Sequence, residues 1–176
     1  LFPKIRVFAV AIITPLKNVF EWILEWITIL LMVGLAGIVI VSVAYRWSGN
    51  SLVWYDEVAS VGLAWLTYYA SALAAVKRSH IGVPGLVAAM RPKFRVPTVL
   101  FAETCIIGFF VALAVLGMDV LGVLEGDTLV SVPEVGTELT QSVIPIGAVL
   151  FIIAEFLNLP TMIKEAREGA PVHGHA

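Results

Sequence analysis

Four long apolar stretches dominate the pattern of hydrophobic and polar positions along this 176-residue chain. Each is close to the roughly 20 residues that a helix needs to cross about 30 Å of hydrocarbon. The predicted transmembrane spans cover residues 22–45, 56–76, 97–120 and 141–163. The pattern therefore predicts an all-α integral membrane protein, with a single four-helix membrane domain over residues 1–176.

The basic residues are sorted between the two ends of these spans. Ten of the eleven Lys and Arg residues lie before the first span, after the second, before the third and after the fourth, and only Arg46 lies at the opposite ends. Cytoplasmic loops of membrane proteins retain Lys and Arg. We therefore predict that both termini face the cytoplasm, with outer loops at residues 46–55 and 121–140 and a polar inner tail at 164–176.

Two further segments are apolar without being long enough to cross a bilayer. Residues 1–20 alternate basic and bulky apolar positions around Pro3 and Pro15, which predicts an amphipathic segment that lies in the membrane interface. A second short interfacial segment is predicted at residues 80–90, between the second and third spans. Both segments would contact lipid headgroups rather than cross the membrane.

The composition agrees with a protein surrounded by membrane lipids and excludes several functions. Hydrophobic residues make up 60% of the chain and charged residues 14%, against about half and about a quarter in soluble domains. The lone Cys105 excludes an internal disulfide and a cysteine-based metal cluster, and no histidine pair lies within the spans to hold haem. Phosphate loops, activated nucleophiles and nucleic-acid signatures are also missing from the sequence. We predict no enzyme activity, no cofactor, no metal site and no nucleic-acid partner.

Acidic residues within and beside the spans are candidates for function. Glu103 and Glu155 lie inside the third and fourth spans, and an intramembrane carboxylate is a functional hypothesis by default. The alternative, which we favour, is a structural role through interfacial water, Lys164 or a basic residue of a partner. Glu21 and Glu25 share one face of the first helix, so a partner's cation or solvent is expected beside them.

One stretch, from the end of the first outer loop through the second span, has a distinctive order of residues. It contains Trp54, the acidic pair Asp56–Glu57, Trp65, a helix rich in small residues, a basic turn and the sequence His80-Ile-Gly-Val. This order resembles the small, DctQ-like membrane subunit of TRAP (tripartite ATP-independent periplasmic) transporters. Pro145 and Gly147 resemble the same family's motif at the start of its last helix.

Two departures from the family pattern affect this stretch. Ser60 stands where the family often has an Arg that pairs with the preceding Glu, and Pro84 stands where it often has an acid. Glu57 therefore lacks its usual local partner. Asp56 and Glu57 could instead be stabilised at the positive end of the second helix or could bind a partner subunit, and both interpretations stay open.

The resemblance implies a small permease subunit of a sodium-coupled importer (a symporter) for an organic acid, in the inner membrane of a bacterium or archaeon. A periplasmic substrate-binding protein would capture the substrate, and a large membrane subunit, a separate chain, would carry it by an elevator-type movement. The small subunit would pack on the static scaffold of the large one and would contain no substrate-binding residues. We predict that Gly62, Trp65, Tyr69 and Ser71 contribute to that contact, because small and hydroxylated residues favour helix association in lipid.

Two alternatives remain. An autonomous four-helix transporter should have a central acid in its first span, and this chain has none there. A membrane-anchor subunit of a respiratory complex should have histidine pairs within its spans, and these are missing as well.

Overall fold

The computed structural model describes the backbone of residues 2–78 and 90–168 and the side chains of residues 14–78 and 90–167. Its helices are α1 (Phe2–Trp47), α2 (Tyr55–Val76), α3 (Pro92–Val123), α4 (Thr137–Gln141) and α5 (Val143–Glu168). Within these described residues, four stretches are long and apolar enough to cross a membrane: Thr14–Trp47, Tyr55–Val76, Pro92–Val123 and Thr137–Arg167. The prediction of an all-α protein with four spanning helices is confirmed. The side of the membrane that each end faces stays a prediction.

The first helix is longer than the predicted span 22–45. At 1.5 Å per residue its 46 residues extend about 69 Å, roughly twice the thickness of the hydrocarbon core. The predicted N-terminal amphipathic segment is thus continuous with the first span. Pro15 has no N–H to donate to the preceding turn, so it marks the position where this helix bends most easily. The interfacial placement of residues 1–20 stays a prediction, and the second predicted interfacial segment lies almost wholly outside the described residues.

The four long helices are arranged as a row rather than as a closed bundle. α5 packs between α2 and α3, and α1 packs on the other side of α2. Within the most apolar part of each helix, 44% of α5 is buried, against 6% of α1 and of α3. The two outer helices therefore leave broad apolar faces uncovered by this chain.

Small residues allow α2 and α5 to approach closely. Ala72, Ala75 and Ala154 are fully or almost fully buried where the two helices meet, and Ser71 is half-buried beside them. The rings of Phe110 and Phe151 stack at 3.7 Å between α3 and α5. Association of helices in lipid depends on such van der Waals packing, because lipid tails are as apolar as the side chains themselves.

Candidate functional site

Two groups of polar contacts lie near opposite ends of the long helices, which are called here the loop end and the basic end. The loop end contains the turn after α1 and residues 124–136, which join α3 to α4. The basic end contains Lys77 and Arg78, which follow α2. The candidate His80 lies outside the described residues.

Glu57 joins α2 to the loop between α3 and α4. This residue is in the first turn of α2, and its two carboxylate oxygens accept hydrogen bonds from the backbone N–H groups of Val130 (3.0 Å) and Ser131 (2.7 Å). Trp54, which directly precedes α2, makes no side-chain cap bond. The sequence suggested that Glu57 either stabilises the start of α2 or binds a partner subunit. The structure adds a third role, which is to bind a loop of the same chain. The Glu57 carboxylate satisfies two backbone donors of a loop more than 70 residues away in sequence.

The loop between α3 and α4 is itself folded. Thr128 and Gly136 form an isolated antiparallel bridge, and the N–H of Thr137 donates to the carbonyl of Asp127 at 2.9 Å. Gly126 has a φ of +89°, a conformation that side chains disfavour, and its N–H donates to the Glu138 carboxylate at 3.0 Å. The predicted outer loop 121–140 therefore presents a defined surface.

We expect the contact through Glu57 to be necessary for the order of this loop. Glu57→Ala removes both acceptor oxygens and leaves the N–H groups of Val130 and Ser131 to water. Asp56→Ala is the matched control, because Asp56 is the exposed neighbouring acid of the same turn. Limited proteolysis of the purified protein should cut within residues 124–136 at least several-fold faster in Glu57→Ala than in Asp56→Ala. Equal rates would show that the loop is held by its own bridge alone.

Trp65 and Gly62 make contacts within the chain. The indole N–H of Trp65 donates to the carbonyl of Thr140 at 2.9 Å, which joins α2 to α4. A Cβ placed on Gly62 would lie 3.4 Å from Leu35 of α1, so this glycine faces α1. Tyr69 packs against Trp65, with their ring centroids 6.2 Å apart. Gly62, Trp65 and Tyr69 thus pack within the chain, whereas their contribution to a contact with the large subunit stays a prediction.

Pro145 and Gly147 lie where α5 approaches both of its neighbours most closely. A Cβ on Gly147 would lie 2.8 Å from Cβ and from Cδ1 of Tyr68, closer than carbon atoms can approach. A Cβ on Gly117 of α3 would lie 3.1 Å from the Pro145 ring. Proline is tolerated here because N–H groups in the first turn of a helix have no partner within it. This motif therefore fixes the distances from α5 to α2 and to α3.

Ion pairs join three helices at the basic end. Lys77 lies 3.2 Å from Glu25 and 3.7 Å from Glu21, so the cation beside these acids comes from the chain itself and not, as expected, from a partner. Arg78 forms two parallel hydrogen bonds of 2.8 Å to the carboxylate of Glu165. Two-pronged pairs of this kind are stronger and more directional than single contacts. The pair of Arg78 and Glu165 holds the C-terminal ends of α2 and α5 together at the basic end.

The two intramembrane acids lie together. Glu103 of α3 and Glu155 of α5 are 5% and 8% exposed, their carboxyl groups interact with each other, and the charge of Arg78 acts on both. The described residues contain no group of three or more His, Cys, Asp or Glu side chains that could hold a metal ion. The arrangement can join α3 to α5.

Asn158 makes a second polar contact that the sequence did not indicate. It is 1% exposed, and its amide N–H₂ donates to the carbonyl of Ala75 at 2.7 Å. The last carbonyls of a helix have no donor within it. The Ala75 carbonyl also accepts from the N–H of Arg78 at 3.0 Å, so Asn158 of α5 adds a second donor at the end of α2, and its own oxygen is buried without a partner among the described residues.

Comparison with known proteins identifies the family of the chain. The family model described as "Tripartite ATP-independent periplasmic transporters, DctQ component" matches residues 35–165, more than half of the chain. The match includes α2, α3, α4 and most of α5, with the motif residues at both ends of the row. A comparison with curated proteins gives no match.

Proposed function

Because the chain belongs to the DctQ component family of tripartite ATP-independent periplasmic transporters, we propose that it packs on the static scaffold of a large elevator-type membrane subunit and stabilises it. In this role the chain supports sodium-coupled import of an organic acid delivered by a periplasmic binding protein. The complex lies in the inner membrane of a bacterium or archaeon. This chain carries neither substrate nor sodium.

The observation that carries the proposal is the way in which the polar groups at the helix contacts are used. Glu57 binds loop amides, Trp65 binds a carbonyl of α4, Asn158 binds the end of α2, and Glu103 and Glu155 bind each other. Secondary transporters build their sites from broken helices whose polar groups converge near the midplane of the membrane. Here the described polar groups connect one element of the chain to another, as expected of a rigid support.

A contact with the large subunit within the membrane requires an apolar surface with grooves into which side chains of the partner can pack. A groove of about 260 Å³ lies between α1 and α2, and its walls include Trp26, Leu30, Trp65 and Tyr69. Its lining is almost wholly apolar, and Leu30 is 72% exposed. Aromatic residues around a pocket are typical anchors of protein interfaces. We propose that a side chain of the large subunit enters this groove, which would extend the role predicted for Trp65 and Tyr69.

Filling the groove should therefore weaken the complex. Leu30→Trp adds bulk to its wall without adding charge, so insertion into the membrane should be unaffected. Leu63→Trp is the matched control, since Leu63 is 56% exposed on α2 but does not line the groove. After co-expression, an affinity tag on this chain should recover about tenfold less large subunit with Leu30→Trp, the effect of losing about 1.4 kcal/mol of binding. Recovery as complete as with Leu63→Trp would place the contact elsewhere.

A further inference from the structure

A second cavity, with a polar lining, lies between the N-terminal half of α1 and the C-terminal half of α5. Its volume is about 300 Å³, and its lining includes Lys17, Asn18 and Glu21 from α1 and Pro160 and Thr161 from α5. The cavity is partly open to the surroundings. It is separate from the apolar groove and from the pair of buried acids.

The charged groups in this cavity are one cation and one anion. Lys17 is half-buried, and no carboxylate oxygen lies within 4 Å of it in the described part of the chain. Glu21 shares Lys77 with Glu25 and is the more distant of the two acids, at 3.7 Å. The charges of Glu21 and Glu165 act on Lys17 from beyond 4 Å, so no anion among the described residues contacts the half-buried ammonium, and burial without such a contact is unfavourable. The cavity thus offers a site for a negative group beside a site for a positive one.

The position of the cavity along the helices favours a lipid. Lys17 lies just before the predicted span 22–45, and Thr161 lies at the end of the predicted span 141–163, so both are at the level of the lipid headgroups. The neighbouring apolar positions Val19 and Ile23 are 56% and 43% exposed, which leaves a surface for an acyl chain. Pro160 has no N–H, so the carbonyl of Phe156 loses its helical donor beside the cavity.

We propose that this cavity binds the headgroup of a zwitterionic phospholipid, with the phosphate at Lys17 and the amine at Glu21. Asn18 and Thr161 have side chains that can donate hydrogen bonds to the phosphate oxygens. The lipid fills the gap between two helices that otherwise make little contact, and so joins the long first helix to the central one.

Lipid retention by the purified protein, with any co-purifying subunit kept, tests the proposal. The protein is stripped in detergent and then incubated with phosphatidylethanolamine, phosphatidylglycerol or inorganic phosphate, and bound ligand is counted by native mass spectrometry. Phosphatidylethanolamine should be retained, and Lys17→Ala should reduce this about tenfold, as expected for the loss of one charge-assisted hydrogen bond. Lys164→Ala is the matched control, because Lys164 is an exposed lysine of α5 outside the cavity.

Glu21→Gln gives a result that misfolding cannot imitate. It should reduce retention of phosphatidylethanolamine and increase that of phosphatidylglycerol, because the anion that repels an acidic headgroup has been removed. Unchanged retention in Lys17→Ala, or equal binding of both lipids by the unmodified protein, would overturn the proposal. Binding of inorganic phosphate as tight as that of the lipid would also overturn it and would indicate a site for small anions.

Discussion

Gly147→Ala is expected to separate α2 from α5 and to lower the stability of the protein. The added methyl group would lie 2.8 Å from Cβ of Tyr68, an atom whose position is fixed by the backbone of α2. No change of side-chain rotamer relieves this overlap, so the helices themselves must move apart. Overpacking of a close interface typically costs about 1–3 kcal/mol. The midpoint of thermal unfolding in detergent should therefore fall clearly.

Gly108→Ala is the matched control for this substitution. Gly108 lies within α3, and a Cβ placed there would meet no atom within 4 Å. Alanine is favoured over glycine within a helix by about 1 kcal/mol, so this variant should be as stable as the original protein or more stable. The close approach of α2 and α5 would be refuted by a Gly147→Ala protein that unfolds at the same temperature as Gly108→Ala.

Omitting this chain is expected to abolish uptake by the proposed complex. The most apolar parts of α1 and α3 are only 6% buried within the chain. If the large subunit covers these faces, its own apolar contact surface is left uncovered when this chain is missing. The large subunit would lose the support against which its moving part works. Proteoliposomes that contain the large subunit and the binding protein alone should take up no more substrate than empty liposomes.

Hydrophobic periodicity was sufficient to predict the class of fold and the number of spans, because it is a local property of the sequence. It did not predict the full length of α1, since Pro15 and the basic residues of the first turns resemble the boundary of a helix. The extension of α3 to Val123 and the separate helix α4 were also not predicted, for the same reason. Polar residues near the ends of helices carry weak signals about where a helix ends.

The contacts of the candidate site depend on residues that are far apart in sequence. The sequence singled out Glu57 and Gly147, but not Ser131 or Tyr68, which they contact. Glu103 and Glu155 were noted as separate acids, and only the packing of α3 on α5 brings them together. Asn158 was not singled out, although a polar amide inside a span usually has a partner on another helix.

The central claim is that this chain supports transport without lining the transport path. Its most direct test is sodium-dependent uptake in proteoliposomes that contain both membrane subunits and the binding protein, with Glu103→Gln and Glu155→Gln compared with the original chain. Glutamine keeps an N–H donor for the remaining carboxylate, so the contact between α3 and α5 should survive. We expect the sodium cooperativity and the substrate half-saturation to be unchanged in both variants. A marked change in either quantity, at normal yield of the complex, would contradict the account and would place these acids on the transport path.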